Sequence, residues 1–176
     1  MLPRVSQLQL QVLLSRQREH DARYHRDIQG LAIGPRIQHL TLHLAKYVGR
    51  LSSLRDDQRT SPLVTRTLVD GLIVSMSVCN AIELGAESIA TSANEGAKLG
   101  ATAGDAALSL AVPVGRLAKA CEAMDHLEYL DYTREIKSAI RDVLHVLLAF
   151  WPDAQEFLVV EEVTDRWLEI ENGRVA

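Results

Sequence analysis

The chain has 176 residues, enough for one domain or two small halves that bury a core without staples. With 47% hydrophobic and 24% charged residues and a net charge of −4, acids and bases interspersed, it has the makeup of a soluble globular protein. It carries no basic patch for nucleic acid, no block of like charge, and only 5% aromatic residues, too few for base-stacking platforms.

The pattern is helical almost throughout, and a first helix is expected over about Ser6 to Tyr24, with Leu8, Leu10, Val12, Leu13 and Leu14 as its apolar content. The opening MLPRVSQLQLQ lacks the long apolar stretch of a signal peptide, which points to the cytoplasm. Gly30, Gly34 and Pro35 break the chain, and Pro35 opens a second helix, where its missing N–H costs nothing. Ile37, Leu40, Leu44, Tyr47, Leu51 and Leu54 recur in steps of three and four, a helix face and not a strand.

Thr60 or Ser61 caps a third helix that has Pro62 in its first turn and ends at Gly85. From Leu68 to Ile82 it is apolar nearly all round, as a buried central helix must be. Its longest apolar run, LIVSMSVCNAI, is too short to span a bilayer, so no membrane partner is expected. Cys79 here and Cys121 later sit among apolar residues and read as reduced core thiols. A weaker fourth helix, rich in small residues, spans Ala86 to about Leu99, and GATAGDA follows as the flexible-looking linker. A fifth helix covers about Asp105 to Leu130, kinked or restarted at Pro113. A sixth runs from about Thr133 to Trp151, and a seventh from about Ala154 to Glu171, stopped by Asn172-Gly173. LVVEEV is the one β-like run and has no partner run.

The words HLTLHLAKYVGRL and VPVGRLAKACEAM share Leu-Ala-Lys at 44–46 and 117–119, a separation of 73 residues. About one helix later, LVDGLIVSMSV and AIRDVLHVLLAF each place one acid, Asp70 or Asp142, in an apolar helix, 72 residues apart. The two runs read as two copies of a helix–connector–helix–helix unit joined near residues 100–105. The expected organisation is therefore an N-terminal helix and connector over 1–34, a first helical unit over 35–103 and a second over 104–176. An ionised carboxylate in an apolar helix needs compensation. Asp70 and Asp142 must then either pair with an Arg or Lys of a neighbouring helix, or line a shared polar cavity that handles metal or phosphate.

LVDGLIVSMSVCNAIELG, HLTLHLAK and SANEGAKLG together resemble the MazG-like all-α nucleoside triphosphate pyrophosphohydrolases, well over 35–100 and loosely over 110–174, and WLEIENGR resembles that family's closing helix. The resemblance implies an all-α helical bundle of about seven helices in two similar halves. It also implies Mg²⁺ bound by clustered acids, and hydrolysis of a nucleoside triphosphate to monophosphate and pyrophosphate. Clustered carboxylates suit that chemistry because Mg²⁺ is a hard ion that bridges phosphates. Position by position, the three acids of the first motif fall on His39, Leu40 and His43, and the Glu-x-x-Asp motif on Thr67 and Asp70. In the second copy the same places read Val112, Pro113 and Arg116, then Ala139 and Asp142. One acid per copy remains, too few for the family's Mg²⁺ cage.

Three functions stay open at this point. The first is a divergent pyrophosphohydrolase, with Asp70 and Asp142 holding a weakly bound metal and Lys46, Arg50, Asn94 and Lys98 contacting phosphates. The second is a catalytically silent module of the same fold that binds a nucleotide or a protein partner, or pairs as a homodimer. The third is a transition-metal protein built on His39 and His43, four apart on one helix face, completed by His25 or Asp70. The cluster Glu122, Asp125, His126, Glu128 and Asp131 reads as a solvated helix face, and His145 as a satisfied core histidine. There is no P-loop, no nucleophile motif and no zinc-finger spacing.

Overall fold

A computed structural model describes residues 5–90, 102–151 and 156–175, and among these the chain forms eight helices and no strand. Helix α1 spans Gln7–Tyr24, and its start follows from a capping box: the Gln9 N–H donates to Ser6 Oγ at 3.2 Å, and the Ser6 N–H donates to Gln9 Oε1 at 2.8 Å. Helix α2, Arg26–Gln29, is one turn long, too short for periodicity to announce it. Helix α3, Ile33–Ser53, begins two residues ahead of Pro35, which still lies in the first turn. Helix α4, Pro62–Ala81, has Pro62 at its first position. Ser61 stands at the cap position, but its hydroxyl donates to Asp57 (3.1 Å) instead of capping the helix.

Helix α4 ends before Gly85. Glu83 takes φ 55° and the Leu84 N–H reaches the Cys79 carbonyl at 2.9 Å, a Schellman closure on a non-glycine residue. Helix α5 covers Ala86–Ala90; the rest of the expected fourth helix lies outside the described residues. Helix α6, Ala103–Asp125, opens on a Thr102/Asp105 capping box and carries Pro113 inside it rather than restarting there. An internal proline costs about 3 kcal/mol, and burial of the Pro113 ring in the core offsets it. Helix α6 stops short of Leu130 because Leu127 adopts φ 53° and the Glu128 N–H bonds the Ala123 carbonyl at 3.0 Å. Helix α7, Tyr132–Ala149, is capped by Asp131, which accepts from the Arg134 N–H at 3.0 Å. Helix α8, Glu156–Val175, absorbs the LVVEEV run and passes through Asn172-Gly173 without ending.

Helix α3 packs on α4 and α6, and α7 packs on α6 and α4, closing a four-helix ring. Both expected units feed one continuous core, which includes Ile37 and Leu51 of α3, Leu68 of α4, Leu117 of α6 and Leu144 of α7. Each such side chain contributes about 1.5–3 kcal/mol by leaving water. At the α4–α7 contact a side chain on Gly71 would meet Leu147 Cδ2 at 3.1 Å, so glycine sets the approach of these two helices. Helices α1 and α8 lie over α4 and touch each other, so α4 is wrapped on several sides. By length and composition α4 could cross a membrane, unlike the shorter run read from the sequence, but 72% of its apolar window is buried inside the bundle.

Candidate metal site

Helix α1 buries Leu10, Leu13, Leu14, Gln17, His20 and Asp21, a helix face at steps of three and four. Its first half is apolar and its second half polar. The polar half meets Ser77 of α4 and Trp167 of α8 in one hydrogen-bond network. Trp167 Nε1–H donates to Gln17 Oε1 at 2.7 Å, Gln17 Nε2–H to Asp21 Oδ1 at 2.8 Å, and the Ser77 hydroxyl to Asp21 Oδ2 at 2.7 Å. The Asp21 carboxylate is thus held by neutral donors only, in a residue 4% exposed. Burial pushes its pKa up; the bonds from Ser77 and Gln17 and the nearby His25 and Arg36 pull the other way.

A cleft of about 70 Å³ opens beside this network, between α1, α2, α3 and α4. Asp21 and Ser77 line it together with His25, which stands at the junction of α1 and α2, and with His39 and His43 of α3. The His39 and His43 rings lie 4.8 Å apart, centroid to centroid, as residues four apart on a helix should. Burial, then Lys46, His39 and His25, lowers the pKa of His43, so its ring is held neutral. The far wall is fastened by Arg36, whose guanidinium donates to the Gln29 carbonyl, to the Leu31 carbonyl (3.1 Å) and to Gln29 Oε1 (3.3 Å).

Ligand atoms of His20, Asp21 and His25 fall within 4.8 Å of one another, and this group could hold a metal ion. The His20 ring is stacked on Trp167, with centroids 6.3 Å apart, and lies 5.6 Å from His25. Imidazole and carboxylate donors suit zinc, copper, iron or nickel, whereas Mg²⁺ asks for a cage of oxygens. The places where the resemblance puts Mg²⁺ ligands do not fit that ion. His39, Leu40, His43 and Thr67 supply no carboxylate, and both oxygens of Asp70 face arginines.

Asp70 is buried, as expected, and its compensation is an ion pair: Arg166 Nε of α8 lies 2.7 Å from Oδ1, and Arg50 of α3 lies 3.8 Å from Oδ2. Arg166 also holds Glu169 at 3.0 Å, and Arg66 reaches that carboxylate at 3.2 Å. Asp142 is not buried: its side chain is 48% exposed and 2.7 Å from Arg116 of α6. Arg116 in turn contacts Glu135 (3.2 Å) and Ser138 (2.9 Å). The two aspartates therefore end on different arginines rather than in one shared polar cavity, because α8 covers the first and not the second.

The basic ladder runs on along α3. Lys46 Nζ lies 3.3 Å from His43 Nδ1 and 4.6 Å from the Tyr47 ring centroid, and Arg50 sits 5.8 Å from that same ring. Burial, with Asp70 nearby, pushes the Tyr47 hydroxyl up to about 12, so it stays protonated. Asn94 and Lys98 lie outside the described residues. The acidic cluster at the end of α6 is an exposed ion-pair face, with Lys119 bridging Glu122 (2.9 Å) and Glu128 (3.0 Å). His145 is half-buried, its Nε2 3.4 Å from the Ile89 carbonyl.

The sequence reading missed Gln17, His20 and Asp21. Their signal was present: they continue the Leu10–Leu13–Leu14 stripe at helical spacing. No family model matches the chain, and neither a curated protein nor a solved structure matches it.

Proposed function

We propose that the protein is a transition-metal-binding helical bundle, with the ion seated in the α1–α3–α4 cleft. His25, His39 and His43 supply imidazole nitrogens, and Asp21 supplies the carboxylate. The observation that carries this reading is that ligand atoms of Asp21 and His25, with those of His20, lie within 4.8 Å of one another, beside a cleft that His39 and His43 also line. Three imidazoles and one carboxylate form a donor set for Zn²⁺ or a neighbouring first-row ion, and neither cysteine takes part. Gln17 and Ser77, by fixing both Asp21 oxygens, act as the outer partners that orient a metal-binding carboxylate.

Elemental analysis of purified protein, followed by calorimetric titration of Zn²⁺ into metal-free protein, tests the reading. The expected result is about one ion per chain, with binding weakened about 10–100-fold or more when His39 and His43 are both replaced by alanine. Folded protein that carries and takes up no zinc, iron, nickel, copper or manganese ends it.

A second reading keeps the chain among relatives of the MazG-like pyrophosphohydrolases, as a module that retains the nucleotide place without the acid cage. Its support is the meeting of the motif positions of α3 and α4: Asp70 lies 3.8 Å from Arg50 and interacts electrostatically with His43. This reading predicts no pyrophosphate release from any nucleoside triphosphate with Mg²⁺ or Mn²⁺, but thermal stabilisation by a nucleotide through mass action.

A further inference from the structure

Helices α3 and α6 share an outer side that the metal-site reading does not use. On α3, Leu42, Ala45, Gly49 and Ser52 recur at steps of three and four, all exposed. On α6, Leu108, Ala111, Gly115 and Ala118 do the same, with Val112 beside them. Three of these side chains are large: Leu42 is 64% exposed, Leu108 75% and Val112 70%. The Ser52 hydroxyl donates to the Val48 carbonyl at 2.9 Å, so this position offers little polarity. Neither row carries a charge over about three turns, although 24% of the chain is charged. Helices α1 and α8 cover α4, which stands diagonal to α6 in the ring, and leave this side in water. Single exposed leucines need no explanation, but a contiguous uncharged apolar face is what the centre of a protein interface looks like.

The face is also complementary to itself. The Gly104 N–H donates to the Arg55 carbonyl (3.1 Å) at one end, and Thr41 lies 3.6 Å from Cys121 at the other, so α3 and α6 run antiparallel. That register sets Leu42 beside Ala118, with which it lines a groove of about 360 Å³, and brings Leu108 level with Ser52. Each protruding leucine therefore has a small residue at its own level on the neighbouring helix. Laying α3 of one copy on α6 of another, at unchanged level, seats Leu42 on Ala118 and Leu108 on Ser52, and does so twice, as a two-fold pair requires. Gly49 and Gly115 leave room for the approach, since nothing stands within 4 Å of where a side chain would be. Helices of 21 and 23 residues side by side present about 30 Å by about 20 Å, on the order of 600 Å² before the relief of the side chains is counted. A specific interface takes about 800 Å² from each partner, so the face is of the size a dimer needs.

We infer that the outer face of α3 and α6 pairs two copies of this chain into a two-fold dimer. The pairing stands independently of any metal in the cleft.

Sedimentation equilibrium of the full chain, from about 1 to about 100 µM, tests it in the range where interfaces of this size divide. Wild-type protein is expected to pass from one chain to two as concentration rises. Gly115→Lys and Gly49→Lys each set a charge in the middle of the face and should weaken pairing by about 30-fold or more, the loss of a central contact. Both positions are open and helical, so lysine there favours the fold rather than breaking it. Leu168→Lys, at a 49% exposed leucine of α8, should pair as wild type does. A second readout needs no variant: Cys121 lines the groove that the partner's Leu42 would close, so its alkylation should slow as wild-type concentration rises. Wild-type protein that stays a single chain throughout overturns the inference. So does pairing that survives both glycine replacements, pairing lost equally in Leu168→Lys, or a Cys121 rate indifferent to concentration.

Discussion

Asp70 of α4 and Asp142 of α7 each end on an arginine, yet their surroundings differ. The Asp70 side chain is 9% exposed beneath α8 and the Asp142 side chain 48% exposed on an open flank. An aspartate in a largely apolar helix is thus a buried ion pair in α4 and a surface contact in α7. The difference comes from an added layer. Helices α1 and α8 lie on α4, bring Arg166 to Asp70, and create the polar pocket around Asp21.

The largest test of this contrast removes the two acids in turn. Asp70→Ala strands the Arg166 guanidinium, itself only 20% exposed, beside Arg50, and should cost about 3 kcal/mol. Asp142→Ala breaks a pair that water already screens and should cost no more than about 1 kcal/mol. Urea unfolding midpoints of the two variants give the comparison, and equal losses would erase the distinction drawn between the halves.

A smaller effect separates the two polar networks. Gln17→Ala leaves the buried Trp167 N–H and one Asp21 oxygen without their partner and should cost about 2 kcal/mol. Ser138→Ala removes one of several contacts of the half-exposed Arg116 and should stay within about 0.5 kcal/mol. Thermal unfolding of both variants against wild type decides it.

These two networks also mark where sequence reading succeeds and where it stops. The apolar stripes of α3, α4, α6 and α7 were legible because burial there is hydrophobic and periodic, and the pair His39 and His43 was legible from its spacing. The polar half of α1 was not. Gln17, His20 and Asp21 look like surface residues until α8 and α4 cover them, and no local pattern reveals a covering helix 150 residues away in the chain. Asp142 fails in the opposite sense: its helix looks as apolar as that around Asp70, but its side chain is 48% exposed. The end of α4 was misplaced because the left-handed turn fell on Glu83, a residue with no special liking for it, rather than on Gly85.

Asp21 carries a pH signature of its own. Burial raises its folded pKa above the ordinary value of 3.8, so folding favours the protonated form. The folded state then holds more protons than the unfolded one between those two values, and stability declines as pH climbs through that window. Metal-free Asp21→Asn lacks this decline and should be the more stable protein at neutral pH, while binding the proposed ion more weakly. Denaturation of the two proteins at a series of pH values checks the sign. A gap that narrows with rising pH would contradict the burial argument.

The cysteines offer the mildest probe of the same layering. Cys79 lies in α4 beneath the added helices, and burial pushes its thiol up to about 12. At pH 8 the reactive thiolate is then about one part in ten thousand, and access is closed as well. Cys121 of α6 is also raised by burial, but it lines a groove on the open side of the ring, 3.6 Å from the Thr41 hydroxyl. Alkylation of the native protein, mapped by mass spectrometry, should therefore mark Cys121 first and reach Cys79 only at the rate of global unfolding. Because no disulfide ties either thiol, the order reports covering and not redox state. Asp70→Ala, which loosens α8 from α4, should speed labelling of Cys79 and leave the rate at Cys121 unchanged.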